Sequence, residues 1–248
     1  MHIQHIQLAV ASNLTTSEVG RVACIGGEGV SDTYIAFMPI CGANTLMDAR
    51  QLSAQERAQY EKKHTKSQAN YLAGRVLAKN LLTEHLGTNW RLLSVLHDAH
   101  GAPEVWLEGK KISVGISISH SHNWVACALN FDGHRVGVDI EQMRPRNTML
   151  EMAQCLAHKD ELLWVNRYCS RVEDFYRYWT TKEALAKVHR VPLMSNELQQ
   201  CAIHKFTEMQ SQKPWMAIDG TLIHHFQIPN EPFMGAWAIK TQDNALNT

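Results

Sequence analysis

The sequence predicts an α+β protein built as two similar halves in one chain. Helical patterns followed by strand patterns occur twice, with the joint near residues 130–136. That order fits two α+β halves better than alternating βαβ units. The chain has 248 residues, room for two domains of about 100–150 residues each. Hydrophobic residues make up 45% and charged residues 19%, so a packed core is expected. The halves are drawn as residues 1–134 and 135–248, and within the first, residues 1–45 carry no pattern that places them.

The elements follow in order. Ser53-x-x-Glu56 is a capping-box signature opening a helix that reaches about His64. A second helix carries Ala69, Leu72, Ala73, Val76, Ala78 and Leu81 roughly on one side and stops at Gly87. Strands are expected at 92–96, 104–107, 112–119 and 124–129. Asp132-Gly133 reads as a hairpin turn into a strand over 135–141. Helices are expected at about 148–157 and 159–168, then a long one from Val172 to His189. Strands close the chain at 201–203, 222–226 and 235–239.

Twenty-four Lys plus Arg balance 24 Asp plus Glu, which excludes a strongly basic nucleic-acid binder and an acidic solvating tail. No segment approaches the roughly 18 consecutive apolar residues of a membrane span. The start, Met1-His2-Ile3-Gln4-His5-Ile6-Gln7, lacks the basic opening and apolar run of a secretory signal. Six cysteines stand apart with no C-x-x-C pair, so buried free thiols are expected in a soluble, cytoplasmic protein. His97-x-x-His100 beside Gly101 reads as turn chemistry, and no Cys/His spacing supports zinc. The charge is uneven, however. Arg57, Lys62, Lys63, Lys66, Arg75 and Lys79 crowd 57–79 against the single acid Glu61, forming a solvated helix face or a group able to hold an anion.

The sharpest local feature is Val138-Asp139-Ile140-Glu141. Strand period two puts both carboxylates on one face, where they repel each other unless a cation intervenes. They mark either a strand edge turning into solvent or an oxygen-ligand Mg²⁺ site. Downstream, Trp179, Glu183 and Lys187 fall at i, i+4 and i+8 on one helical stripe. Glu183 and Lys187 form either a surface ion pair or, on a partly buried face, an acid serving as third ligand or base beside a lysine for phosphate oxygen. In Ser117-Ile118-Ser119-His120-Ser121 an apolar run ends in hydroxyls and an imidazole, the donors a pyrophosphate needs.

Taken in order, these pieces resemble the Sfp-type 4′-phosphopantetheinyl transferases. The family's S-H-S strand end matches Ser119-His120-Ser121, and its G-V/I-D-x-E strand matches Gly137 to Glu141. Its aromatic-S/T/C-x-K-E-x-x-x-K helix matches Trp179 to Lys187, and its aromatic-L-x-G-R helix matches Tyr71-Leu72-Ala73-Gly74-Arg75. The resemblance covers about 60–240. It implies two pseudo-twofold-related α+β halves with the active site at their interface, the N-terminal half contacting coenzyme A and the partner.

It also implies Mg²⁺ on Asp139, Glu141 and Glu183, with coenzyme A as substrate. Glu183 doubles as candidate base, and Lys187 sits at the transferred phosphate. Ser119 and His120 contact coenzyme A phosphates, and Lys182 makes a phosphate or surface contact. Asn70 and Ala102 stand where the family often carries basic residues, so grip on the nucleotide end would be either weaker or supplied by Lys62, Lys63, Lys66 or Arg75. The partner is an apo acyl or peptidyl carrier protein of fatty-acid, polyketide or nonribosomal peptide synthesis. The product is the holo-carrier with 3′,5′-ADP, and the enzyme is expected to be a monomer using neither nucleic acid nor membrane. A non-catalytic coenzyme A or carrier-binding module of the same fold competes with this reading. The intact trio with Lys187 argues against that module, because binding alone does not need all four.

Overall fold

The computed structural model describes residues 20–24, 33–40, 49–206 and 214–240. The chain divides into two compact units, 1–133 and 134–248. In the first unit, strands β1 (Gly20–Cys24) and β2 (Thr33–Pro39) precede helices α1 (Ala54–Glu61) and α2 (Thr65–Leu86). Strands β3 (Leu93–His97), β4 (Pro103–Leu107), β5 (Lys110–Lys111), β6 (Gly115–Ser121) and β7 (Trp124–Asn130) follow. They form an antiparallel sheet of order β1-β2-β7-β6 and a smaller one of order β3-β4-β5. The expected capping box is present on α1, with Ser53 and Glu56 exchanging backbone and side-chain bonds. Helix α2 ends where expected because Gly87 adopts the left-handed conformation at φ 58°.

The apolar periodicity of α2 predicts a one-sided helix, but residues 71–79 are buried without a break. The helix packs against β7, β6 and β2 and also against β3, so it has no solvated face over that stretch. That double cover decides the fate of its basic residues.

The second unit opens with β8 (Arg135–Gln142), then helices α3 (Met149–Leu156), α4 (Leu162–Tyr168), α5 (Val172–His189) and α6 (Asn196–Gln200). Strands β9 (Ile203–Lys205), β10 (Trp215–Ala217), β11 (Leu222–Gln227) and β12 (Phe233–Lys240) complete an antiparallel sheet of order β8-β12-β11-β10-β9. Helix α5 lies across β8 and β12, with α3 and α4 against it. Phe175, Leu185 and Val188 of α5 are at most 1% exposed. Each such side chain stabilises by about 1.5–3 kcal/mol on burial. Each unit has its own apolar core, around α2 in the first and α5 in the second.

The α+β expectation is borne out. Several details are corrected. Strand β7 pairs with β2 and β6 while β8 pairs with β12, so Asp132-Gly133 is a connection between units and not a hairpin turn. Within the unplaced 1–45 stretch, the described residues supply β1 and β2, and β2 pairs along β7. Cys127 and Cys169 are buried free thiols as expected, but Cys155 is exposed and Cys201 half-buried; the side chains of Cys24 and Cys41 lie outside the described set. His97 to His100 is indeed a turn, in which the Asp98 side chain accepts from the backbone of His100 and Ala102. No helix among the described residues is long and apolar enough to cross a membrane.

Candidate active site

The carboxylate strand is positioned by a glycine. A Cβ on Gly137 of β8 would lie 2.0 Å from the Ala184 carbonyl oxygen, so only a bare Cα lets α5 approach this closely. Gly137 therefore faces α5, and alternation places Asp139 and Glu141 on that same face. Strand β8 is held by β12 in the register Asp139 opposite Ala236 and Glu141 opposite Met234. Across the gap, Lys187 donates to Asp139 Oδ1 and to the Val138 carbonyl, both at 2.8 Å.

Helix α5 is buried almost throughout from Asp174 to Val188, and the interruptions fall at Trp179, Glu183 and Lys187, the half-buried stripe expected from spacing. Glu183, one turn before Lys187, has its carboxyl pushed up to about 7. Burial is the largest cause; Asp139 and then Glu141 add like-charge repulsion, partly offset by Lys187. A half-buried carboxyl crowded by two others is the donor chemistry that a hard divalent cation relieves. By donor chemistry, Asp139, Glu141 and Glu183 are the residues that would hold the Mg²⁺ implied by the resemblance.

Two expected coenzyme A contacts are elsewhere. Lys182, expected at phosphate or on the surface, is 0% exposed and bonded to Glu161 at 2.8 Å. Glu161 also accepts from Tyr178 OH, His158 N and Ile203 N at 2.7, 2.9 and 2.7 Å, which makes it a fully satisfied buried carboxylate. Arg75, expected at the nucleotide end, is 3% exposed. Its guanidinium lies 4.1 Å over the Tyr71 ring and bonds His97 Nε2 at 3.1 Å. Both are core residues because the helices that carry them are covered on more than one side.

Sequence reasoning missed the acids that hold this framework. Glu56 in the first unit repeats the role of Glu161: it accepts from Lys79 Nζ at 3.0 Å, from Val95 N at 2.8 Å and from Ser53 N at 2.8 Å. In each unit a capping-box glutamate is buried, takes a lysine from the following long helix and ties down a strand amide. The capping box itself was the available signal for Glu56. His158-x-x-Glu161 lacks the usual Ser or Thr and gave none.

On β6, Ser119 and His120 are not brought together. Alternation sends the Ser119 hydroxyl inward at 7% exposure, whereas His120 is exposed. His120 Nδ1 lies 3.3 Å from Asn70 Nδ2 of α2, so the residue replacing the family's basic one holds this imidazole. The Lys66 side chain lies outside the described residues. Of the basic stretch, Arg57 and Lys62 are exposed and Lys63 half-buried, while Arg75 and Lys79 are internal.

Residues 135–240, the stretch that carries β8 and α5, match the model of the 4′-phosphopantetheinyl transferase superfamily. The relatives say the same. The chain is 29% identical over 119 residues to the 4′-phosphopantetheinyl transferase HetI of Nostoc sp., covering 47% of this chain and 50% of HetI. It is 29% identical over 118 residues to the 4′-phosphopantetheinyl transferase gsp of Aneurinibacillus migulanus, covering 47% and 46% of the two chains. It is 37% identical over 73 residues to Sfp of Bacillus subtilis, covering 29% and 31%. The chain spans about half the length of the first of these curated relatives. The resemblance drawn from the motifs is borne out.

Proposed function

We propose that the protein transfers the 4′-phosphopantetheine group of coenzyme A to a serine of an apo acyl or peptidyl carrier protein, releasing 3′,5′-ADP. The observation that carries this reading is Glu183, its carboxyl raised to about 7 between Asp139, Glu141 and Lys187. Glu183 is also the candidate base for the proton of the attacking serine hydroxyl. Mg²⁺ held by Asp139, Glu141 and Glu183 would supply charge neutralisation at the pyrophosphate oxygens.

The chain's own contribution is positioning and charge. Lys187 is anchored by Asp139 and the Val138 carbonyl, so its ammonium is fixed beside the middle of β8 and not free to sweep solvent. There it would stabilise the charge gathering on the leaving phosphate oxygen as the phosphoanhydride bond to 3′,5′-ADP breaks and the serine phosphoester forms. His120, oriented through Asn70, offers its imidazole to a further phosphate. The enzyme works as a cytoplasmic monomer.

The test is a mass measurement. Apo-carrier incubated with coenzyme A, Mg²⁺ and the protein gains one phosphopantetheine, run across carriers of fatty-acid, polyketide and peptide synthesis. Asp139→Ala remains folded by circular dichroism yet leaves the carrier unmodified. Modification at the wild-type rate by that variant, or no mass gain on any carrier, would sink the assignment.

A further inference from the structure

A second group of metal-capable side chains lies in the same unit but belongs to none of the chemistry above. His189 is the last residue of α5, Cys201 follows α6, and Asp219 sits in the turn between β10 and β11. One ligand atom from each, the imidazole nitrogen, the thiol sulfur and a carboxylate oxygen, lies within 4.8 Å of the others. We infer that His189, Cys201 and Asp219 form a binding site for a thiophilic divalent cation of the Zn²⁺ class.

The donor set argues for that class. Mg²⁺ and Ca²⁺ take oxygen, whereas an imidazole, a thiolate and one carboxylate are the mixed ligands of Zn²⁺. The local bonding leaves the imidazole available. His189 Nε2 is buried and has no hydrogen-bond partner; Asp219 Oδ2 lies 3.3 Å from it. Cys201 Sγ donates one weak hydrogen bond, 3.4 Å to the Glu197 carbonyl, which a metal-bound thiolate would give up. Asp219 is already oriented, since its Oδ1 accepts from Thr221 N at 3.1 Å.

Three protein donors leave the fourth tetrahedral position to water, the arrangement of an exchangeable site and not a sealed structural one. His189 and Asp219 side chains are 15% and 22% exposed, which leaves the ion a path in. One group competes. Lys240 Nζ lies 3.0 Å from Asp219 Oδ2 and is 37% exposed, so it can swing away when the ion arrives. Arg135 adds positive charge nearby. The bound ion would tie the C-terminal turn of α5, two residues beyond Lys187, to the segment after α6 and to the β10–β11 turn. The spacings of 12 and 18 residues match no Cys/His motif, which is why no sequence pattern announced the site.

The experiment titrates the full chain with Zn²⁺ against a chromophoric chelator and records the absorption of the Co²⁺ adduct. Wild type binds one equivalent that millimolar Mg²⁺ does not displace, and the Co²⁺ form shows a thiolate charge-transfer band. Cys201→Ser loses the band and weakens Zn²⁺ by at least about tenfold, while Cys155→Ser, at the exposed thiol, changes neither. Lys240→Met tightens binding by removing the competitor. Thermal melts of the metal-free variants establish that each is folded; should Asp219→Asn fail to fold, Cys201→Ser and Lys240→Met still decide. Wild-type Zn²⁺ affinity in Cys201→Ser, or a Co²⁺ adduct without thiolate absorption, overturns the inference. None of these readouts depends on transfer activity.

Discussion

Lys182 stands between Thr181 and Glu183 in the family-like helix, and charge alone suggests a role at phosphate. Its environment assigns another: both it and Glu161 are 0% exposed, and the carboxylate collects four donors. Removing one member of a buried pair leaves the other uncompensated, at a cost of about 3–5 kcal/mol. Lys182→Met is therefore expected to lower the unfolding free energy by that much, and with it the urea midpoint, while leaving KM for coenzyme A unchanged in the protein that stays folded. A raised KM with an unchanged midpoint would return Lys182 to the phosphate. Lys79→Met should behave alike, because Glu56 holds Lys79 in the same way. Asp139, Glu141, Glu183 and Lys187 could be read from the sequence because their period is local, two along a strand and four along a helix. Burial of Lys79, Arg75 and Lys182 could not, since their partners lie 21 to 23 residues away.

At the scale of elements, α5 was legible to its ends, Val172 to His189, because apolar spacing, not partners, sets a long buried helix. Gly87 and the Ser53 capping box likewise fixed helix ends through local chemistry. Strands β1, β2 and β10 were not legible, because a strand takes part of its identity from neighbours distant in the chain, as β2 does from β7. Asp132-Gly133 misled for the same reason: a turn dipeptide reports a bend, not which strands pair after it. The contact between β8 and α5 is the element-scale determinant of the site. Gly137→Ala drives a methyl into the Ala184 carbonyl, and backbone cannot yield as a side chain tip can. The expected loss is about 1–3 kcal/mol, with transfer impaired beyond the unfolded fraction because Asp139 moves away from Lys187. Calorimetry beside the carrier-mass assay checks both, and a variant with native stability and full turnover would remove Gly137 from this role.

For the molecule as a whole, the 14 histidines make stability a question of pH. Burial holds His97 and His224 down at about 4 and His225 well below its ordinary value, so all three are neutral in the folded protein. Below about 6.5 the unfolded chain protonates them and the folded chain does not, so stability falls as pH falls. Glu183 works in the opposite sense. Its folded carboxyl, raised to about 7, takes a proton before the unfolded one does, so ionising it costs stability above neutrality and protonating it restores that stability on acidification. Between pH 6.5 and 4.5 these histidines, with His189 also held below its ordinary value by burial, outnumber the one raised glutamate, so stability falls with pH, each unmatched histidine contributing up to about 1.4 kcal/mol per pH unit. Urea unfolding at pH 7 and 5.5 should show that decline; a flat or rising profile would contradict the buried neutral imidazoles. The decisive variant is His224→Phe, which keeps an aromatic ring stacked on Trp237, now 4.3 Å away and within 3° of parallel. It removes one titrating group, and the slope should shrink by about 1.4 kcal/mol per pH unit with stability at pH 7 little changed.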